Sequence, residues 1–385
     1  MNPQRATVRV ADWLFLLLAV AAISSASPTT HPGLPDGPYV VRNERGAWEA
    51  WSVKGTPQGL RTGVLPVESG SSITVPAVGK VPAFDVTLRK PVESVPYEMT
   101  TAQGAQLFVI ADTHGEYEIL VQMLVKQGVA GPDLKWSFGG GHLVLLGDVF
   151  DRGAHQTEIL WLIYKLQAEA ERAGGGVHLV LGNHEAMALS GDQRYLNPKY
   201  LSTATLLGVR NYTALFGADS VLGQWLRAQP AVFKINDLLC LHGGISRALI
   251  DREFTLGDIN ATVHQVMGGS LHKADQERAE FIMGRLGPMW YRGYFPEEAD
   301  YPTASTQDVE AIHQHFGVSR ILVGHTIVPA VTSLYAGRVI AVQVYPHLDD
   351  DGDPVFQSLL IRQGKLFRAG VDGSLREIEV QAATR

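Results

Sequence analysis

The chain has 385 residues, 45% of them hydrophobic and 18% charged, with a formal net charge of −7. That is ordinary globular material, long enough for one large domain and a smaller one, and it lacks the basic footprint of a nucleic-acid binder. The only cysteine, Cys240 in "LLCLHGG", excludes an intrachain disulfide and a thiolate metal cluster; within an apolar run it reads as a small buried hydrophobe.

The first residues read as a targeting segment. Arg5 and Arg9 precede the apolar run Trp13–Ile23, and Ser24-Ser25-Ala26 then offers small residues for cleavage. The run is short of the roughly 20 residues that span a bilayer. Residues 1–26 are therefore expected to be a signal peptide, and the mature chain an exported protein, periplasmic or secreted, with no integral membrane contact. Cleavage after Ala26 removes two arginines and one aspartate and takes the formal charge from −7 to −8. Residues 27–37, "SPTTHPGLPDG", read as a linker. Residues 38–100 contain short, partly alternating runs ("PYVVRN", "AWEAWSV", "SSITVPAV", "FDVTLR") broken by Gly and Pro, which predict a small β-rich subdomain.

A second domain is expected over residues 101–380. "QLFVIAD", "GGHLVLLGD" and "GVHLVLGN" are apolar runs, and the helical segments "GEYEILVQMLVKQG" and "QTEILWLIYKLQAEAERAG" alternate with them. That alternation predicts an α/β domain with buried parallel strands. "AVFKINDLLCLHG" and "RILVGH" continue the pattern. The final runs "VIAVQVYP", "FQSLLIR", "KLFRAGVDG" and "LREIEV" predict antiparallel strands. Trp161, Leu162, Tyr164 and Leu166 read as helix core.

The five apolar runs from "QLFVIAD" to "RILVGH" each lead into a polar residue of metal-binding or acid–base type. Asp112 and His114 follow the first, in "ADTHG". Asp148 follows the second, in "GDVFDRG", with Asp151 and Arg152 just beyond. Asn183 and His184 follow the third, in "GNHE"; His242 follows the fourth, in "HGG"; His325 the fifth, in "VGH". In open α/β sheets ligands bind outside the carboxyl ends of strands, so these residues can converge. Two carboxylates, a carboxamide and three imidazoles suit borderline or hard divalent ions such as Mn, Zn, Fe or Mg. Six ligands exceed one tetrahedral site and suit two ions with one bridging carboxylate. The other histidines (His142, His155, His178, His264, His272, His313, His315 and His347) lie outside the motifs. The acidic run "LDDDGDP" lacks the glycine and closing glutamate of a calcium loop and reads as a solvated turn.

These motifs resemble those of the calcineurin-like metallophosphoesterases. Within that superfamily they resemble the phosphoprotein phosphatases, and among these the Shewanella-like bacterial group that includes a cold-active protein-tyrosine phosphatase. "DGPYVV", "LLGDVFDRG" and "GPMWYRGY" add to the likeness, which covers roughly residues 36–345. The resemblance implies the metallophosphoesterase fold: two stacked mixed β-sheets flanked by helices. It implies that Asp112, His114 and Asp148 hold one metal, and Asp148, Asn183, His242 and His325 the other. His184 would be the proton donor, oriented by Asp151, and Arg152 would clamp the phosphate, with Arg292 in "WYRGY" a candidate second clamp. It implies a phosphorylated protein, peptide or small phosphomonoester as substrate, hydrolysed by direct in-line attack of metal-activated water. Val323-Gly324 stands where the eukaryotic enzymes have Arg-Ala, and their substrate-groove segment is not recognisable in "AVQVYPHLDDD", so their preferences do not carry over. A dinucleotide polyphosphate or cyclic-nucleotide hydrolase on the same scaffold is the alternative, and a non-catalytic binding protein the remote one. The thiol-phosphatase route is closed, because Ser246 occupies the position that such enzymes give to arginine.

Overall fold

A computed structural model describes residues 34–68 and 70–380. The expected signal peptide, and residues 27–33 of the expected linker, lie outside them. The strands β1 (Asp36–Arg42), β2 (Trp48–Thr56) and β3 (Gly59–Val67) form an antiparallel meander, and β4 (Ser72–Val75) pairs with β5 (Phe84–Thr87). Asp36 and Gly37, at the end of the expected linker, thus already belong to a strand. A short β6 (Glu98–Met99) follows.

Next come β7 (Leu107–Ile110), α1 (Tyr117–Lys126), β8 (His142–Leu145), α2 (Gln156–Arg172) and β9 (Gly176–Leu179), with the three strands parallel. β7 and β8 are buried at every position, as continuous apolar runs flanked by helices require. The chain continues through α3 (Asn183–Ser190), α4 (Pro198–Leu206), α5 (Val221–Arg227), β10 (Val232–Ile235), β11 (Leu238–Leu241), α6 (Arg247–Ile250), α7 (Leu256–Met267), α8 (Gln276–Met283) and α9 (Thr306–Phe316). It ends in β12 (Arg320–Val323), β13 (Thr332–Leu334), β14 (Val339–Ala341), β15 (Val344–Leu348), β16 (Pro354–Arg362), β17 (Lys365–Gly370) and β18 (Leu375–Glu377). No helix among the described residues is long and apolar enough to cross a membrane.

Two mixed sheets result. One has the order β18-β17-β16-β7-β8-β9, with β15 also paired to β16; the other has the order β13-β14-β12-β11-β10-β6. Stacking of the His178 ring of β9 on Phe233 of β10, 4.6 Å between centroids, joins the two sheets. The α/β reading thus holds, with two local differences. "AVFKINDLLCLHG" is an antiparallel hairpin rather than one strand, because Asn236-Asp237 forms a two-residue turn with Asn236 at φ +56. "VIAVQVYP" is split: β14 runs parallel to β12, and the chain then crosses to the other sheet as β15. The strands from "FQSLLIR" onward are antiparallel, as expected. The acidic run is an exposed turn in which Asp349 Oδ1 accepts from the Asp351 and Asp353 amides.

α2 shows how the amino-terminal strands attach. Trp161, Leu162, Tyr164 and Leu166 are buried, but so are Gln156, Thr157 and Glu158 on its other faces. One side packs on β9 and the other meets β1 and β5. The Trp161 indole donates to Pro38 O at 2.8 Å. The Arg89 backbone N–H donates to the Tyr164 hydroxyl at 2.8 Å, while its guanidinium lies 4.0 Å from that ring. A helix covered on both sides is expected to bury apolar or hydrogen-bonded groups on each, and the buried side chains of this one meet that at every atom but Glu158 Oε2.

Candidate active site and metal centre

β7, β8 and β9 of one sheet, and β11 and β12 of the other, deliver their carboxyl ends to one point. Asp112 and His114 follow β7, Asp148 follows β8, Asn183 and His184 open α3 after β9, His242 follows β11 and His325 follows β12. All seven are buried. The ligand atoms of Asp148, His242 and His325 lie within 4.8 Å of one another, and so do those of His114, Asp148 and His184. Asp112 Oδ2 lies 3.8 Å from His114 Nε2. The Asn183 carboxamide oxygen lies 2.9 Å from His242 Nε2.

The backbone bends sharply to make this convergence. His114, Asp148, Asp151, Arg152 and His325 all have φ between +43 and +70. For residues with a Cβ such a conformation costs on the order of 1–3 kcal/mol each and persists where the surroundings over-determine it. Gly147 and Gly182 pack backbone to backbone, and a Cβ on Gly182 would collide with the Asp148 carboxylate. That close approach requires glycine at both positions.

Glu185 is the group that ties these loops together. It has no exposed surface. Its Oε2 accepts from the amides of Asp148 (2.8 Å) and Gly182 (2.7 Å), and its Oε1 from those of Val149 (2.7 Å) and Phe150 (3.4 Å). Burial raises its pKa, Asp148 adds to the rise, and the amide donors pull it back, for a net value of about 6. It is a carboxylate at neutral pH, and so accepts at both oxygens. Glu185 belongs to "GNHE" but is neither an expected ligand nor an expected acid–base group. Its place three residues after Gly182, where a capping-box acid falls, was the available signal.

The donor set fits a cation. His242 Nδ1 is 2.7 Å from Leu146 O and must donate there, which turns Nε2 into the site. Around Nε2 stand Asp148 Oδ2 at 3.0 Å, Asn183 Oδ1 at 2.9 Å and His325 Nδ1 at 3.0 Å. One proton can serve one of these acceptors; a divalent cation serves all four atoms. Burial lowers the His242 pKa, yet Asp148 and Asp112 outweigh it and hold it at about 9. His114 Nδ1 likewise faces Phe150 O at 2.8 Å, which points Nε2 at Asp112 and Asp148, each 3.8 Å away. Burial, with Arg152 and His184 nearby, holds His114 well below the usual histidine range; burial, Arg292 and His242 do the same to His325. Neutral imidazoles are the ligating form. The set is oxygen and nitrogen only; Cys240 lies in β11, buried, with its thiol pushed far up by burial.

His184 differs from the other histidines of the site. Its Nδ1 is 2.6 Å from Asp151 Oδ2 and its Nε2 is 3.8 Å from Asp148 Oδ2. Burial lowers its pKa, but Asp148 and Asp151 outweigh it and the net shift is upward. Arg152 is exposed, with its guanidinium 5.6 Å from the Tyr345 ring centroid. The guanidinium of Arg292 donates to His325 O and to Thr326 Oγ1, both at 3.1 Å, and meets Glu298 at 3.5 Å. Both arginines therefore stand at the edge of the cluster. Two aromatic rings that sequence reasoning missed flank it: Tyr195, half-exposed and 5.4 Å from the His184 ring, and Tyr345, 5.9 Å from the His114 ring. Neither lies in a motif, so nothing in the sequence marked them.

The calcineurin-like phosphoesterase family profile matches residues 105–329, more than half of the chain. The chain belongs to the calcineurin-like phosphoesterase family. Members of this metallophosphoesterase family are metal-dependent phosphoric ester hydrolases, and the chain's resemblance is to Shewanella-like protein phosphatases. It is 26% identical over 228 residues to Shewanella-like protein phosphatase 1 of Plasmodium berghei, covering 59% of this chain and 62% of that one. It is 27% identical over 263 residues to Shewanella-like protein phosphatase 2 of Arabidopsis thaliana, covering 58% and 66%. The chain thus spans just under two thirds of the length of these curated relatives. Among solved structures, the cold-active protein-tyrosine phosphatase of a psychrophilic Shewanella species is 35% identical. It superposes with a TM-score of 0.76 over 90% of this chain and 100% of that one. The metallophosphoesterase profile ends four residues past His325, and so contains every metal-centre residue named here.

If Glu185 holds the Asp148 loop, Glu185→Gln should loosen the metal centre. A carboxamide puts N–H where one pair of backbone N–H groups needs an acceptor. Metal affinity should fall by about 10–100-fold, the usual effect of losing a ligand's supporting partner. Chelator competition followed by metal analysis measures this, and unchanged affinity would overturn the role.

Proposed function

We propose that the protein is an exported two-metal phosphatase of phosphoproteins that favours an aryl ester, as in phosphotyrosine. The observation that carries the reading is the 2.6 Å contact between His184 and Asp151 beside a buried cluster of unshared lone pairs. Asp112, His114 and Asp148 would hold one ion, and Asp148, Asn183, His242 and His325 the other. When bound, such ions neutralise phosphate charge and acidify water for in-line attack. The donor set suits Mn, Zn, Fe or Mg.

The chain's own residues supply the rest. Asp151 accepts from His184 Nδ1, which fixes the ring and keeps a proton on the imidazole. His184 Nε2 then gives its proton to the leaving oxygen. Arg152 and Arg292, at the edge of the cluster, are placed to bind the equatorial phosphoryl oxygens, where transition-state charge spreads. Tyr195 stands beside the proton donor, the side from which the leaving group departs, and half of its surface is open. That ring can stack on an aryl leaving group and has no comparable partner in a serine side chain. The name of the Shewanella neighbour, a protein-tyrosine phosphatase, points the same way.

Three outcomes test this reading. His184→Asn should keep both metals and lower turnover by roughly 10²–10⁴-fold, with a smaller loss for esters whose leaving groups need no proton. Rates plotted against leaving-group pKa decide it; equal slopes for the two proteins, or lost metal, would mean that His184 is not the donor. Tyr195→Ala should lower kcat/KM for a phosphotyrosine peptide by about 3–10-fold more than for a phosphoserine peptide, the worth of one aromatic pair. Equal losses would remove Tyr195 from substrate selection. Export predicts a mature amino terminus near Ser27; an intact native mass that still includes Met1–Ala26 would overturn it.

A further inference from the structure

The conformation of the Asp151–Arg152 loop needs an explanation, because both residues sit at positive φ, +70 and +65. Five contacts hold it. Gln156 Oε1 accepts from the Asp151 amide at 2.7 Å, Tyr195 O from the Arg152 amide at 2.9 Å, and His114 O from the Gly153 amide at 2.8 Å. Asn197 Nδ2 donates to Arg152 O at 2.8 Å, and Lys199 Nζ donates to Ala154 O at 2.6 Å. Asn197 caps α4, and Lys199 lies in its first turn.

Lys199 is the unusual member, since only 2% of it is exposed. A buried ammonium needs a facing carboxylate. Among the described residues the nearest is Asp36, with Oδ1 at 3.4 Å; Glu158 Oε1 follows at 3.8 Å. Asp36 is also buried, and its Oδ2 accepts from the Tyr39 hydroxyl at 2.6 Å. The Tyr39 hydroxyl lies 3.2 Å from that of Tyr212, which accepts from Gln156 Nε2 at 2.8 Å. Gln156 is the residue that holds the Asp151 amide. Two routes therefore run from Asp36 in β1 to the loop, one through Lys199 to Ala154 and one through Tyr39, Tyr212 and Gln156 to Asp151.

We propose that Asp36 and Lys199 are positioning residues for the phosphatase reaction: through this buried pair the amino-terminal strand holds Asp151 where it orients His184. The inference rests on the proton-donor reading of His184. The β-rich segment before residue 100 is then part of the catalytic apparatus, although it contributes no group to the metal cluster.

The test uses the full mature protein at saturating metal, with metal content checked. Asp36→Asn and Lys199→Met are compared with wild type on a phosphoserine peptide, whose leaving group needs a proton, and on 4-nitrophenyl phosphate, whose leaving group does not. A displaced Asp151 should cost about 10–100-fold in kcat on the peptide and less than about 3-fold on the aryl ester, with metal retained. Equal losses on both esters, no loss on either, or lost metal would each overturn the proposal. His184→Asn, run alongside, separates the two readings. If it shows no leaving-group dependence, the proton-donor reading fails and takes the positioning role with it; if it does and the Asp36 and Lys199 variants do not, only the positioning role fails. Should Asp36→Asn not fold, Tyr39→Phe takes one hydrogen bond from the same carboxylate. It should show the same selective loss at smaller size, and an equal loss on both esters would overturn the proposal.

Discussion

Among the described residues Glu185 has no charged partner, and it has no contact with solvent, yet its two oxygens accept four backbone N–H groups from two separate loops. One loop carries Asp148 and the other opens α3 with Asn183 and His184. The Asp148 carboxylate returns the contact by accepting from the His184 amide at 2.9 Å. The two loops therefore cannot move independently. Everything that the site brings together depends on this exchange, because Asp148 stands between the two ligand groups and belongs to both. Buried acceptors that meet several donors hold position far better than exposed ones, since opening them forfeits every bond at once.

The site sits where two sheets end, and that placement explains its cost and its rigidity. Backbone strain at His114, Asp148, Asp151, Arg152 and His325 draws on stability generated elsewhere. The strands behind these residues are buried at nearly every position, which supplies that stability and prevents relaxation. Contacts across the seam add to it: the His325 amide donates to Asp112 Oδ1 at 3.0 Å, and His242 Nδ1 reaches Leu146 O at 2.7 Å. Each sheet thus fixes a ligand that the other sheet carries.

Much of this was legible in the residue pattern. Apolar runs that end in Asp, Asn or His announce strands with chemistry at their carboxyl ends, and spacing of about 35 residues between the first three matches a strand–helix repeat. What the pattern concealed was non-local. "AVFKINDLLCLHG" reads as one continuous run because Asn236-Asp237 is short and both flanking strands are buried. "VIAVQVYP" serves two sheets, and no local signal marks the crossing. Glu185 was visible as a motif letter, but its function is to accept amides from Asp148, Val149 and Phe150, some 35 residues earlier in the chain, and a pattern records no such partners. Asp36 and Lys199 are 163 positions apart, and each alone reads as an ordinary surface charge.

The histidines of the site show how one residue type serves several ends. His114 and His325 are pushed down by burial with positive neighbours, Arg152 for one and Arg292 for the other. His184, equally enclosed, is pushed up because Asp148 and Asp151 outweigh burial. Environments that drive like groups apart divide the labour of a site, since the neutral ring offers a lone pair and the protonated ring offers a proton. The division here is set by which carboxylate faces which nitrogen. Asp151 Oδ2 meets Nδ1 of His184, whereas main-chain carbonyls, Phe150 O and Leu146 O, meet Nδ1 of His114 and His242. His242, faced by Asp148 and Asp112, is raised as His184 is, so charge alone does not sort the rings. The partner of Nδ1 sets direction instead: Leu146 O and Phe150 O turn Nε2 of His242 and His114 inward among the ligand atoms, whereas Asp151 on Nδ1 of His184 leaves its Nε2 to carry a proton.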